Sequence, residues 1–226
     1  MLTHALHDTL HRLENAASKA QRPVPALLAV SKTRSAQDVA ALAAAGHRAF
    51  GENYVQEAAV KQAELSRLDL EWHLIGHLQS NKAALAAATF DWVQTVDRES
   101  LVVALDRHRR PERPSLNVLI QVNIDDEASK HGCRPEQVQA LAESITGRPR
   151  LRLRGLMVIP TPHPEPQARR GAFGRARALF EALRTRYPDV DTLSMGMSDD
   201  LEVAIEEGAT MVRVGTALFG ARPPKA

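Results

Sequence analysis

Lys32 stands at the end of an apolar run, Ala26-Leu27-Leu28-Ala29-Val30-Ser31, and a polar turn follows it at once. A neutral lysine amine attacks carbonyl carbon, so at the end of a strand it can form a Schiff base with a carbonyl cofactor or substrate. On an open surface the same lysine would be a solvated cation and nothing more. Further polar or glycine-containing segments close other apolar runs: Gly51-Glu52-Asn53-Tyr54, 73–77, 121–123, Met157, 194–198 and Arg213-Val214-Gly215-Thr216. Within Ser194-Met195-Gly196-Met197-Ser198-Asp199-Asp200, Ser198 has the residue type of a helix N-cap, and the free N–H groups of a helix starting there would donate to an anion. Gly215 lets a ligand approach the backbone next to that point, so the two segments together can make a phosphate site. An ordinary cap followed by a tight turn is the competing reading. Asp199 and Asp200 agree with it, since carboxylates complement a helix N-terminus but repel a phosphate that they face.

The elements that must position these groups can be read from periodicity. Leu2, Leu6, Leu10 and Leu13 fall at helical spacing, which predicts an opening amphipathic helix over 1–21, ended by Arg22-Pro23-Val24-Pro25. Eight short apolar runs then follow, at 26–32, 48–50, 72–75, 92–96, 117–122, 153–159, 192–194 and 211–214. Helical patterns at 37–45, 55–65, 80–88, 99–107, 135–145, 173–184 and 199–207 separate them. Strand and helix in strict alternation predict an α/β protein with a parallel sheet closed into a single (βα)8 TIM-like barrel over 26–220, within one domain of 1–226. An open doubly wound sheet is the alternative. The Pro160-Thr161-Pro162-His163-Pro164 stretch reads as a stiff loop leaving the sixth strand.

Composition narrows the class further. Apolar residues make up 44% and charged residues 25% of the 226, the proportions of a soluble globular chain with one well-buried core. Lys and Arg outnumber Asp and Glu by 29 to 27, a balance that gives no reason to expect nucleic acid or anionic lipid as a partner. The one cysteine, Cys133, excludes an internal disulfide and suits a reducing compartment. Asp8, Arg12, Glu14 and Lys19 interrupt the first twenty residues, so no signal core is expected there, and no run reaches the roughly 18 apolar residues of a membrane span. The cytoplasm is the expected address. Arginines cluster at 107, 109 and 110, at 148, 150, 152 and 154, and at 169 and 170, but acidic residues offset them and aromatics for base stacking are few. His4, His7 and His11 share a helix face, and His73 and His77 have a four-residue spacing. Neither set carries the glutamate of a His-Glu-x-x-His site, and no metal is expected.

Together these segments resemble the pyridoxal phosphate homeostasis proteins, the YggS/PROSC type, from Ala29-Val30-Ser31-Lys32-Thr33 to Phe219-Gly220-Ala221-Arg222. The motifs that carry the resemblance are Phe50-Gly51-Glu52-Asn53-Tyr54, His73-Leu74-Ile75-Gly76-His77-Leu78-Gln79-Ser80-Asn81-Lys82, Gly155-Leu156-Met157, the 193–200 segment and Val212-Arg213-Val214-Gly215-Thr216. The resemblance implies a fold-type III barrel, similar to the barrel half of alanine racemase, that holds pyridoxal 5′-phosphate (PLP) through Lys32. It also implies that Ser198, Gly215 and Thr216 hold the phosphate and that Arg213 faces the pyridine nitrogen. Asn53, His73, Met157, Ser194 and Met195 are expected to line the same mouth, the first two touching the ring or its hydroxyl. Lys130 matches a lysine of the family pattern and is a second candidate acceptor of the aldehyde, with a solvated loop lysine as the alternative. His77 departs from the pattern, and its role is open.

Arginine has donors and no acceptor, so at the pyridine nitrogen it cannot act as the carboxylate that keeps a ring protonated. The expected function is therefore a monomeric, non-enzymatic carrier that buffers PLP and passes it to apo-enzymes. Two alternatives remain: a PLP-dependent amino-acid racemase, for which only Tyr54 and Tyr187 are available as tyrosine acid/base groups, and a Schiff-base lyase acting on a phosphorylated sugar.

Overall fold

The computed structural model describes residues 1–127, 129–161, 163 and 165–220. Eight strands form one closed barrel in the order of the chain: β1 (Ala26–Val30), β2 (Ala49–Glu52), β3 (Glu71–Leu74), β4 (Trp92–Val96), β5 (Leu116–Val122), β6 (Leu151–Val158), β7 (Thr192–Ser194) and β8 (Met211–Val214). Every neighbouring pair is parallel, and β8 closes on β1 with Leu28 beside Arg213. The open doubly wound alternative is thereby excluded.

The helices are α1 (Leu2–Ala20), α2 (Ala36–Ala44), α3 (Val55–Glu64), α4 (Ala83–Thr89), α5 (Glu99–His108), α6 (Val138–Thr146), α7 (Pro166–Arg186), α8 (Leu201–Glu206) and α9 (Thr216–Phe219). Helix α7 starts seven residues earlier than periodicity predicts. Its first turn, Gln167-Ala168-Arg169-Arg170, has no apolar stripe to read, and Pro166 occupies a position that helices favour for proline. Helix α9 was not foreseen, because four residues carry no period. Pro162 and Pro164 of the expected stiff loop, and Ala221 and Arg222 of the last motif, lie outside the described residues.

Successive strand residues point alternately to the helices and to the barrel interior. Ala29, Phe50, Leu74, Val93, Ile120, Leu156, Leu193, Val212 and Val214 face outward and join the helices' apolar residues in one large core. The interior is different: Trp92, Leu119 and Met157 form a small apolar cluster there, Leu28 and Met211 are buried beside it, and other buried positions are the polar His73, Gln94, Ser194 and Arg213. Between Val118 and Leu119 the β5–β6 register slips, leaving Arg154 as an extra residue before Gly155 at φ 144°. That bulge sets which face Met157 occupies.

Several arginines are spent on structure. Arg109 is 2% exposed and donates to the carbonyls of Ala87, Phe90 and Pro114, while Arg154 stacks on Trp92 and pairs with Asp191. Burial lowers the Arg109 pKa to about 10. Neither guanidinium is free for a nucleic-acid surface. No helix among the described residues is long and apolar enough to cross a membrane.

Helix α1 docks Leu6, Leu13, Ala16 and Ala17 against the barrel's outer helices, and Arg12 fastens it with bonds of 2.5 and 2.7 Å to Glu202 of α8. The hydrogen bonds from Arg12 hold the Glu202 carboxyl below its usual range. A depressed carboxylate contributes stability above its ordinary value of 4.5 and loses it as pH falls further. The pair is partly exposed, so the contribution is below about 1 kcal/mol. Hydrogen exchange should therefore show α1 losing protection below that pH before the strands do, with Arg12→Ala removing the dependence. Simultaneous loss of α1 and strand protection in both proteins would refute the coupling.

Candidate functional site

Lys32 follows β1 after the fully buried Ser31, and the turn that carries it is fixed from below. Ser31 donates its hydroxyl to Glu52 Oε1 at 2.6 Å. Lys61, reaching up from α3, donates to the Ser31 carbonyl (2.7 Å), Glu52 Oε1 (2.8 Å) and Glu57 Oε1 (2.7 Å). Glu57 Oε1 also accepts the N–H of Thr33 at 2.7 Å. Thr33 sits at φ 62°, a conformation that a β-branched residue adopts only when its surroundings impose it. Lys32 is thus flanked by two residues clamped to one buried charge cluster. Burial pushes the Glu52 carboxyl above its usual range, and the bonds from Lys61 and Ser31 pull it back.

At the carboxyl ends of the strands a cleft of about 230 Å³ opens between β1, β2, β7 and β8. Six of the ten expected site residues line it: Lys32, Asn53, Ser198, Arg213, Gly215 and Thr216. Its apolar walls are Val30, Ile75, Ile159 and Met197, which sequence reasoning did not select. Isolated aliphatic residues carry no chemical signature, and only their place at strand ends could have pointed to them. Asp199 also lines the cleft.

The other four expected residues lie elsewhere. Met157 packs with Trp92 and Leu119 inside the barrel, and Met195 belongs to the outer, helix-facing core. His73 and Ser194 are fully buried beneath the cleft, in a chain of hydrogen bonds that crosses the barrel interior. Arg213 Nη1 donates to Ser194 Oγ (2.7 Å), Ser194 donates to Gln94 Oε1 (2.7 Å), and Gln94 Nε2 donates to His73 Nδ1 (3.0 Å). His73 Nε2 completes the chain by donating to Glu71 Oε1 at 2.7 Å. Each donor meets an acceptor, which is what a buried polar interior requires. The bond from His73 holds the Glu71 carboxyl below its usual range. Gln94, absent from the sequence expectation, is the link that makes His73 and Ser194 supports of Arg213 rather than parts of the cleft wall.

Arg213 is held from both sides, since Nη2 donates to the Val158 carbonyl at 2.9 Å. Burial lowers its pKa to about 10, so it remains a cation at neutral pH. Ser198 does not cap a helix as expected. Helix α8 begins two residues later with Asp200 at the N-cap, and the Asp200 carboxylate turns back to accept the Met197 N–H at 2.6 Å. Its pKa is raised by burial. The Ser198 hydroxyl is consequently left at the cleft. The N–H groups of Thr216 and Ala217, at the start of α9, have no partner within their own helix, while those of Leu218 and Phe219 donate to the Gly215 carbonyl. Lys130 pairs with Glu127 (3.2 Å) and donates to Thr161 Oγ1 (2.9 Å), tying its loop to the segment that follows Ile159.

Residues 5–223 match the family described as alanine racemase, N-terminal domain. The chain is 55% identical over 214 residues to the pyridoxal phosphate homeostasis protein of Pseudomonas aeruginosa, covering 93% of this chain and 91% of that one. Among solved structures it is similar to PipY of Synechococcus elongatus with PLP bound, at 38% identity and a TM-score of 0.82, covering 97% of this chain and all (100%) of that one. Alanine racemase from Corynebacterium glutamicum shares the fold, with a TM-score of 0.72 at 16% identity, but this chain spans only 61% of its length.

Proposed function

The chain belongs to the pyridoxal phosphate homeostasis protein family, and from that membership we propose that it binds PLP in the cleft at the ends of β1 and β8, joined to the cofactor aldehyde through Lys32. The observation that carries the reading is the presence of Lys32, Arg213, Ser198, Gly215 and Thr216 on one cleft. The donor set fits the group: a hydroxyl and backbone amides for a phosphate, an amine for an aldehyde, and aliphatic walls for a ring. When bound, PLP supplies an electrophilic carbon and an electron-withdrawing ring.

Arg213 offers hydrogen bonds and a fixed positive charge to the ring nitrogen, and a guanidinium has no acceptor through which to keep that nitrogen protonated. This favours retention of the cofactor over stabilisation of a carbanion. A racemase needs acid/base groups on both sides of its substrate. Tyr54 is 57% exposed and does not line the cleft, and Tyr187 is bonded to Gln139 on the outer surface. We therefore read the protein as a non-enzymatic, monomeric carrier in the cytoplasm that buffers PLP and releases it to apo-enzymes, with Lys130 as a loop tether rather than a second acceptor.

The test is an absorption spectrum after PLP addition, then borohydride reduction and peptide mass mapping, with Lys32→Ala in parallel. A visible band fixed on Lys32, and lost in the variant, is expected. Modification confined to other lysines would overturn the assignment. Exchange of an amino acid's α-proton by the loaded protein would overturn the carrier reading in favour of a racemase.

A further inference from the structure

His77 is four residues from His73 in sequence, but the two are not partners. His73 is sealed inside the barrel between Glu71 and Gln94, whereas His77 lies exposed at the rim. There its ring stacks on that of His131, with centroids 3.8 Å apart and planes 14° from parallel. Asp97, from the end of β4, completes the group. One ligand atom from each of His77, Asp97 and His131 lies within 4.8 Å of the other two. These residues leave the ends of β3, β4 and β5, on the arc of the rim opposite the β8–β1 side of the cleft.

We propose that His77, Asp97 and His131 form a mononuclear site for a divalent late first-row transition metal, zinc being the ion whose usual ligands they match. Two imidazoles and a carboxylate are a ligand set of borderline softness, which favours such ions over magnesium or calcium. With bonds near 2.1 Å in tetrahedral array, two ligand atoms stand about 3.4 Å apart, so closure needs shifts of roughly 1 Å. The two rings must also tilt out of their stack for both lone pairs to meet one ion, a rotation that their exposure on the rim permits. Asp97 stays fixed, because its Oδ1 accepts Arg98 Nη1 at 2.6 Å.

The supports are of the kind that metal ligands require. Arg98 Nη2 also donates to the carbonyl of Leu78, next to His77, so one guanidinium orders two of the three ligand segments. Gln121 Nε2 donates to the His131 carbonyl at 3.1 Å. Gly132, at φ 122°, permits the tight return after His131, where a Cβ would stand 2.6 Å from the Asn123 nitrogen. Three protein ligands leave a position for water or a small anion at the mouth. Nearby Cys133 is no part of the group: it is 3% exposed and packs in the apolar core.

The site is independent of the PLP assignment, and its test separates the two. Zinc is titrated calorimetrically into the full-length protein in chelator-free buffer, alongside His77→Ala, His131→Ala and a His4→Ala/His7→Ala/His11→Ala variant, with PLP loading measured on each sample. The expected result is one zinc per chain. Its affinity should fall more than about tenfold in each rim variant, the loss that even an outer-shell partner's removal can cause. The helix variant should bind as the parent does, and PLP loading should be unchanged throughout. Zinc affinity unaltered in His131→Ala, binding that disappears only in the helix variant, or no saturable binding at all would overturn the proposal.

Discussion

Lys61→Met is expected to cost about 3–5 kcal/mol, the penalty for breaking a buried ion pair by removing one partner. Lys61 is 5% exposed and Glu52 is fully buried, so water cannot replace the lost ammonium. Glu52 Oε2 already has no hydrogen-bond partner among the described residues, and the variant would remove the main donor to Oε1 as well. For a chain of this size the loss corresponds to a fall in Tm of roughly 10 °C.

The effect should depend on pH in a definite direction. Burial already raises the Glu52 carboxyl, and without Lys61 it must rise further. A carboxyl whose folded pKa is raised loses stability as pH increases through that value, because the unfolded chain has already released the proton. The variant should therefore be closer to the parent at pH 5 than at pH 8. Adding Glu52→Gln should recover part of the loss, giving a coupling energy in a double-mutant cycle. Since the same cluster clamps Ser31 and Thr33, the variant should also hold less PLP under conditions where it is folded. Chemical denaturation at the two pH values checks the first claim. A loss below about 1 kcal/mol at both would mean that the cluster behaves as a surface pair.

Gly76→Ala should damage the cleft from a residue that does not line it. A Cβ at Gly76 would stand 2.2 Å from the Asn53 carbonyl oxygen and 2.7 Å from the Asn53 Cα. Both are backbone atoms, so no rotamer change relieves the overlap. Either the β2–α3 connection or the end of β3 must move, and they are joined by the Ile75 N–H donating to the Glu52 carbonyl at 2.9 Å. The cost should lie near the upper end of the ~1–3 kcal/mol seen for overpacking. Displacing Asn53, which lines the cleft, should weaken PLP binding by about tenfold, equivalent to about 1.4 kcal/mol. Stability comes from denaturant unfolding, and affinity from equilibrium titration of the folded variant. Parent-like values for both would show that the contact relaxes freely.

Strand and helix were legible in the sequence because each obeys a local period, and strict alternation of the two leaves few ways to close a parallel sheet. The ends of the helices were less legible. The polar first turn of α7, the four residues of α9 and the Ser198/Asp200 cap depend on where the chain is held, not on the residues at the boundary.

At the site, the sequence by itself determined the chemical types and which strand ends carry them: an amine at Lys32, a guanidinium at Arg213, and small donors at Ser198, Gly215 and Thr216. Depth was decided only by the tertiary structure. The β5–β6 bulge before Gly155 sets the face of Met157, and Met195 turns toward the helices. Gln94, which carries no motif of its own, draws His73 and Ser194 into a chain of hydrogen bonds under Arg213. His77 and His131 are 54 positions apart in the numbering, yet barrel closure stacks them on one rim. Local periodicity fixes which residues reach a strand end. Register, bulges and the need of every buried polar group for a partner fix how deep each side chain lies and what it meets there.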